Sequence, residues 1–407
     1  MKTPTLIISL IVSTLATATH AQSGCTDPLA NNYNAAATIN DGSCHYNSVS
    51  ISPSTTFTLP PQLSETSGLL WWNNELWTNN DDTDTHLHAI DTSNGSLLQD
   101  YDVKWAVNND WEDLDADTTY LYIGDFGNNV AGNRTNLKII RVEKASLIAG
   151  NPIIDSIMFS YPDQTNFSSA GANNTNFDCE AMVLTTDSIY LFTKQWVSQK
   201  TTLYALSKTP GTYVADSITT YNVQGLITGA VTLQQKQLTV LCGYTNLVQP
   251  FLYLLYDYQD NAFFNGNKRK INISLPFHQI EGIASENGLD YFLTNESLVQ
   301  GPISIAPKLN KFSLYSYLGN YLNSTTGIQQ QKPSQFNVYP NPFTDVLHIQ
   351  SANTSIKYFI ADVAGRIVSK GSFSSISGTL STSDLSKGVY FLTTSDPNIQ
   401  PVKLIKE

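Results

Sequence analysis

Charge is scarce in this chain of 407 residues: Asp, Glu, Lys and Arg together make up only 14%. So little charge excludes a solvated tail or a coiled coil, both of which need far more. Basic residues are the scarcer sign, 22 against 34 acidic ones, giving a net charge of −12. That balance argues against nucleic acid or an anionic membrane surface as partner. Long apolar runs are missing too. Leu247 to Tyr258 is broken by Pro250 and contains Asp257, so it reads as a buried strand; a membrane span needs about 20 apolar residues. Leu6 to Val12 is shorter still. With Lys2 before it and Thr19-His20-Ala21 after it, residues 1–21 are expected to be a secretory signal cleaved before Gln22. Gly-x-Ser-x-Gly, His-Glu-x-x-His and a phosphate-cradling Gly-rich loop are all absent.

Aromatic residues are plentiful, with 21 Tyr and 17 Phe, and together with many Thr, Ser, Asn and Gly they favour strands and turns. Export makes the four cysteines candidates for disulfides. Cys25 and Cys44 bracket a segment too small for a core of its own, and a bridge between them would contribute about 3 kcal/mol by chain entropy. Cys179 and Cys242 lie in separate strand patterns and are expected as buried thiols, with a long-range bridge left open. Cys25-Thr26-Asp27-Pro28, Asn32-Tyr33-Asn34 and Asp41-Gly42-Ser43-Cys44 resemble a short cysteine module of Bacteroidetes-type surface proteins. Asp27, Asn32, Asn34 and Asp41 are either oxygen ligands for Ca²⁺ or turn formers, and the turn reading is preferred.

The C-terminal stretch carries the most specific motifs. Phe336-Asn337-Val338-Tyr339-Pro340-Asn341-Pro342-Phe343 leads into Leu347-His348-Ile349; then come Ala361-Asp362-Val363-Ala364-Gly365-Arg366, Leu385-Ser386-Lys387-Gly388-Val389-Tyr390 and Lys403-Leu404-Ile405-Lys406-Glu407. Short alternating strands between Asn-Pro and Gly turns predict a small β-sandwich. The run also resembles the C-terminal sorting domain of the type IX secretion system. That resemblance implies the type IX machinery as partner, passage through the periplasm and across the outer membrane, and release or attachment at the cell surface. Residues 321–335 have linker composition.

Between 47 and 320 a unit recurs. Glu65-Thr66-Ser67-Gly68-Leu69, Trp111-Glu112-Asp113-Leu114, Cys179-Glu180-Ala181-Met182, Thr228-Gly229-Ala230-Val231 and Ile280-Glu281-Gly282-Ile283 each open a set of strands. The interval is about 50 residues, a propeller-blade length, with one insertion at 162–177. The fifth unit lacks a fourth strand, its third being read at Phe312-Ser313-Leu314-Tyr315. Thr56-Phe57-Thr58-Leu59-Pro60, which matches the fourth strand Ile271 to Pro276, is placed to supply the missing one and remove the open edges. The expected fold is all-β: a five-bladed, alternatively six-bladed, β-propeller followed by the sandwich. In chain order this gives a signal (1–21), a disulfide module (22–46), the propeller (47–320), the linker (321–335) and the sorting domain (336–407). Asn109 to Leu114, Leu121 to Asn129, Glu180-Ala181-Met182 with Thr193-Lys194, and Ile280 to Ala284 resemble an uncharacterised family of bacterial propellers.

Inner strands of a propeller line a central channel, so Glu65, Glu112, Glu180 and Glu281 would converge at one mouth. Carboxylates brought together repel unless a cation neutralises them or some stay protonated, and an all-oxygen set favours Ca²⁺. Asp125 is placed as a further metal ligand, and Asn80, Lys194, Asn295 and Trp111 as ligand-binding residues of the same mouth. Such a site is similar to those of lactonase- and phytase-type propellers, which would imply a Ca²⁺-dependent hydrolase of an ester, lactone or phosphoester. The chain departs from both in having only Lys194 and Arg134 as nearby basic residues and no assignable His/Asp dyad. The preferred reading is a surface propeller binding a polysaccharide or protein. The alternative for each Glu is a turn acceptor with no metal. His86 and His88 share a strand face without a third ligand at motif spacing.

Overall fold

The computed structural model describes residues 22–323, 337–350, 356–363, 365–373, 377–394 and 402–407. The expected signal sequence lies outside them. So does most of the expected linker, whose first residues end a helix, Tyr315–Asn323. The chain divides into two compact units, Met1–Asn323 and Ser324–Glu407.

The first unit is built from strands in five main sheets, each formed largely from consecutive antiparallel strands. Sheet one comprises Thr66–Trp72, Glu75–Asn80, His86–Ile90 and Leu97–Asp102; sheet two opens with Trp111–Ala116 and Tyr120–Asp125. Sheet three opens with Asp178–Leu184 and Ser188–Lys194, and sheet four with Leu226–Leu233 and Leu238–Tyr244. Sheet five comprises Ile280–Ala284, Asp290–Asn295 and Lys308–Ser313, and its fourth strand is Thr55–Thr58, paired antiparallel with Lys308–Ser313. The third strand here starts earlier than expected, because Leu314 and Tyr315 already lead into the helix. Each first strand packs against the first strand of the next sheet, and Ile280–Ala284 returns to Thr66–Trp72.

Burial follows position within a sheet. Leu238–Tyr244 is buried at every residue, as a strand covered on both faces must be, and is mostly apolar, with Thr239 satisfied by the Thr232 and Tyr258 hydroxyls. Asn267–Ile273, the fourth strand of sheet four, alternates buried and half-buried residues at period two, so one face is more accessible.

Every first strand carries a bulge near its start. The register shifts between Thr66 and Leu69, between Trp111 and Asp113, between Cys179 and Ala181, between Ile227 and Gly229, and between Ile280 and Ile283. A bulge adds an unpaired residue and re-aims its side chain. The residues so placed include Ser67, Glu112, Glu180, Thr228 and Glu281. Neighbouring sheets approach closely there: a Cβ on Gly282 would lie 2.5 Å from the Ser67 carbonyl oxygen, and one on Gly229 2.3 Å from that of Glu281. Only glycine permits that approach.

The N-terminal segment is closed by a Cys25–Cys44 disulfide, while Cys179 and Cys242 are free and buried. Asp27, Asn34 and Asp41 accept backbone N–H bonds two residues ahead, and Asn32 accepts one from His45. Asp27, Asn34 and Asp41 thereby act as turn formers, while Asn32 ties the segment to the stretch around Cys44. The segment is held to sheet four by Asp257, which accepts from Asn40 at 2.8 Å and Thr26 at 3.1 Å, and by Asp27, which accepts from the Tyr46 and Tyr256 hydroxyls.

The second unit contains two sheets, one of Asn337–Tyr339, Val346–Gln350 and Ser377–Ser381, the other of Ile356–Asp362, Ile367–Phe373, Gly388–Thr394 and Val402–Lys406. Their shared core includes Phe343, Leu347, Tyr358, Ile360, Leu392 and Leu404. Asn341, between the two motif prolines, clamps the last strand by donating to Lys403 O at 2.7 Å and accepting from Ile405 N at 2.9 Å.

Candidate metal centre

The five bulges lie at one end of the first strands, and antiparallel pairing brings the ends of the second strands to the same place. Thr66 faces Asn80, Trp111 faces Asp125, Asp178 faces Lys194 and Ile280 faces Asn295. Acidic side chains from both sets converge. Glu112, Asp178 and Glu180 are buried, each offering an oxygen within 4.8 Å of the others; Glu65, Asp81 and Glu296 form a second, half-buried set within the same limit. Asp110 joins the first set, since a Cβ on Gly127 would meet its Oδ2 at 2.3 Å and Glu112 Oε1 at 2.2 Å.

Lys194 is the basic group at the centre. Its ammonium donates to Glu180 Oε2 and lies 4.0 Å from Glu281 Oε1, with the Trp196 and Tyr244 rings on its flanks. Glu281 Oε2 is buried without a hydrogen-bond partner. Glu281 also feels the charges of Asp81, Asp178 and Glu296, which places it between the two acidic sets. Other side chains orient the acids: Ser67 Oγ donates to Glu112 Oε2 at 3.2 Å, and Asp178 accepts from Asn128 N at 2.6 Å and Trp196 Nε1 at 2.7 Å.

The electrostatic cost is visible in the titration of these groups. Burial first, then the neighbouring carboxylates, pushes Asp81 up to about 6, Asp110 and Glu281 to about 7, and Glu296 to about 9. Glu112 is raised well above the carboxylate range by burial and by Glu180; Glu180 is raised by burial, against the pull of Lys194. Burial opposes the charge on Lys194, yet Glu180 and Glu281 outweigh it and hold the ammonium well above its ordinary value. These carboxyls outnumber Lys194, so the cluster must retain protons or take up a cation. Its donors are oxygens, which suit a hard cation.

The remaining expected residues are placed differently. Glu65 belongs to the outer set, and the bulge position in sheet one is held by Ser67. Asp125 is neutralised by Arg134 at 2.7 Å and Lys138 at 3.2 Å and is not part of either set. The Asn80 side-chain amide donates to Gln62 O at 2.9 Å; that of Asn295 donates to Glu296 O and Ala306 O at 3.0 Å. Both asparagines therefore brace the connections around the mouth. Trp111, expected among the ligand-binding residues of the mouth, is wholly buried among Leu121, Ile123 and Trp77, because it immediately precedes the bulge and faces the packing between sheets one and two. Asp81, Asp110, Asp178 and Glu296 were not foreseen. A signal existed: Asp81 and Glu296 directly follow Asn80 and Asn295 at equivalent strand ends, and Asp110 and Asp178 each stand two residues before a marker glutamate. His86 and His88 are bridged by Asp84, at 2.8 and 2.7 Å. Burial alone would raise Asp84, but hydrogen bonds from His88 and His86 bring it down to about 2.

Comparison with known proteins bears on the second unit. Residues 337–407 match the secretion system C-terminal sorting domain. The sorting domain supports type IX export, implies an interaction with that secretion machinery, and implies delivery to the cell surface or beyond. No helix of the described residues is long and apolar enough to cross a membrane. No curated protein matches the chain. Among solved structures, PorZ, an essential surface component of the type IX secretion system of Porphyromonas gingivalis, aligns at 11% identity and TM-score 0.29, over 84% of this chain and 45% of its own. The chain thus spans under half the length of that protein. A putative 6-phosphogluconolactonase from Bacteroides uniformis aligns at 11% identity and TM-score 0.30, covering 80% of this chain and 88% of its own. A mitotic checkpoint complex structure aligns at 9% identity and TM-score 0.36, covering 65% of this chain and 94% of its own. All three TM-scores lie below 0.5, too low for a shared activity or ligand to follow.

Proposed function

We propose that the five sheets are the blades of a five-bladed β-propeller displayed at the cell surface, and that its acidic mouth holds a calcium ion within a ligand-binding face. The propeller reading is supported by the succession of first strands that returns from sheet five to sheet one, and by Thr55–Thr58 completing the last sheet. The observation that carries the cation is the buried set Glu112, Asp178 and Glu180, with the unpartnered Glu281 Oε2 beside it. An oxygen-only donor set without imidazole or thiolate suits Ca²⁺ better than a transition metal. The ion would relieve the repulsion that otherwise keeps several of these groups protonated.

Calorimetric titration of the full chain with calcium chloride tests this. One saturable site is expected, lost when Glu112→Gln and Glu180→Gln are combined. Absence of saturable binding, or binding unchanged in that variant, would refute it.

A further inference from the structure

The same end of the five sheets carries exposed apolar side chains at equivalent positions. Strand direction puts every connection between second and third strands on the face of the acidic mouth. In sheets two to five, each of those connections has an exposed aliphatic residue: Val130, Val197, Leu247 and Val299. Their exposures run from 59% to 83%. The corresponding connection of sheet one carries acids instead, Asp81, Asp82 and Asp84. Trp105, 82% exposed, lies in the link from sheet one to sheet two, which starts from this same face. Single exposed apolar residues are ordinary, but here one recurs at the equivalent connection of four successive sheets.

Two of the tips are held in costly backbone conformations. Trp105 has φ +73° and Val248, beside Leu247, has φ +53°, both in the left-handed region that bulky and β-branched residues avoid. The Val248 turn is fixed by Val248 N to Thr245 O at 2.7 Å and Thr245 N to Gln249 O at 3.0 Å. Strain of this kind persists where the surrounding structure imposes it, and it concentrates at functional surfaces. Within the ring of tips, Glu65, Asp81 and Glu296 are half-buried, and among the described residues no ion pair neutralises them.

We propose that this face docks a protein partner, which places a lysine or arginine side chain between Glu65, Asp81 and Glu296 while its apolar residues rest on Val130, Val197, Leu247 and Val299. Charge complementarity selects the occupant. An anionic lipid surface or lipopolysaccharide is repelled by the acidic face around Glu65 and Asp81, and a neutral polysaccharide does not match it. A basic segment flanked by apolar residues fits both features of the face. The proposal rests on the binding role given above but not on the calcium ion, since the outer acidic set is distinct from Glu112, Asp178 and Glu180.

The test is photo-crosslinking in the producing cell, with benzoylphenylalanine in place of Leu247 or Val299, and in place of Ile148 or Ile153 in the connection between third and fourth strands of sheet two. Crosslinks to a protein segment containing lysine or arginine are expected from the first pair only. Their yield is expected to fall at least tenfold when Glu65→Gln and Asp81→Asn are combined, and to fall likewise at about 1 M salt, where charge attraction is screened. The neutralised protein should melt no lower than the parent, because like charges have been removed. Equal crosslinking from both positions, no crosslinked protein, attachment to lipopolysaccharide, or a yield indifferent to both neutralisation and salt would each overturn the proposal. Calcium binding by calorimetry is read separately, so either result can fail without the other.

Discussion

Lys194 donates to Glu180 Oε2 at the end of the second strand of sheet three, with both side chains buried. Removing one partner of such a pair leaves an uncompensated buried charge, at a cost of about 3 to 5 kcal/mol. Lys194→Met is therefore expected to lower the unfolding free energy by an amount of that order in chelator. Calcium should restore part of the loss by replacing the missing positive charge. Denaturant unfolding with and without calcium measures both; an unchanged midpoint would contradict the role given to Lys194.

Stability of the chelated protein should depend on pH in a set direction. In the folded state Asp81 titrates at about 6, Asp110 and Glu281 at about 7, and Glu296 at about 9, chiefly because burial disfavours their charge. Unfolded, these groups return to the ordinary carboxylate range. The folded state therefore binds more protons between the two, and stability falls as pH rises. The melting temperature in chelator should drop between about pH 5 and pH 9 and be flatter with calcium. A rise across that window would contradict the assignment.

Close approach of neighbouring first strands makes Gly282 irreplaceable. A Cβ there would sit 2.5 Å from the Ser67 carbonyl oxygen, a backbone atom that cannot swing aside. Gly282→Ala is expected to cost about 1 to 3 kcal/mol, measured by chemical denaturation; an unchanged midpoint would contradict the close approach.

Export depends on the second unit. A chain lacking residues 336–407 should accumulate in the periplasm, because residues 337–407 match a sorting domain. Cell fractionation decides this, and normal surface delivery of the truncated chain would contradict it.

Much of this architecture was legible as repetition. Glu112, Glu180, Thr228 and Glu281 recur because each falls at the bulge of a first strand, where strand pairing makes no demand on the side chain and the central space does. Glu65 precedes the strand while Ser67 lies in the bulge, so Gly68, aligned with Gly229 and Gly282, was the better register mark. Trp111 was placed in the mouth because it adjoins Glu112. Neighbours in a strand point to opposite faces, and its ring belongs to the core between two sheets. Asp110 and Asp178 each stand two residues before a marker glutamate, Glu112 and Glu180, so a repeated Asp-x-Glu pattern was available; what was not legible is the bulge that aims these acids into one space. Asp84, two residues from His86, could have been read as their shared acceptor.

If the buried acids Glu112, Asp178 and Glu180 form a cation site, calcium must stabilise the folded chain through them. The melting temperature of the full chain and of its Glu112→Gln variant, each in calcium and in chelator, tests it most directly. At a hundredfold excess over Kd, a single site stabilises the parent by about 2.7 kcal/mol, so calcium should raise its melting temperature. The variant should show little or no such rise, and in chelator it should melt at or above the parent, relieved of one repelling carboxylate. Calcium leaving both melting temperatures unmoved, or raising both equally, would contradict the account.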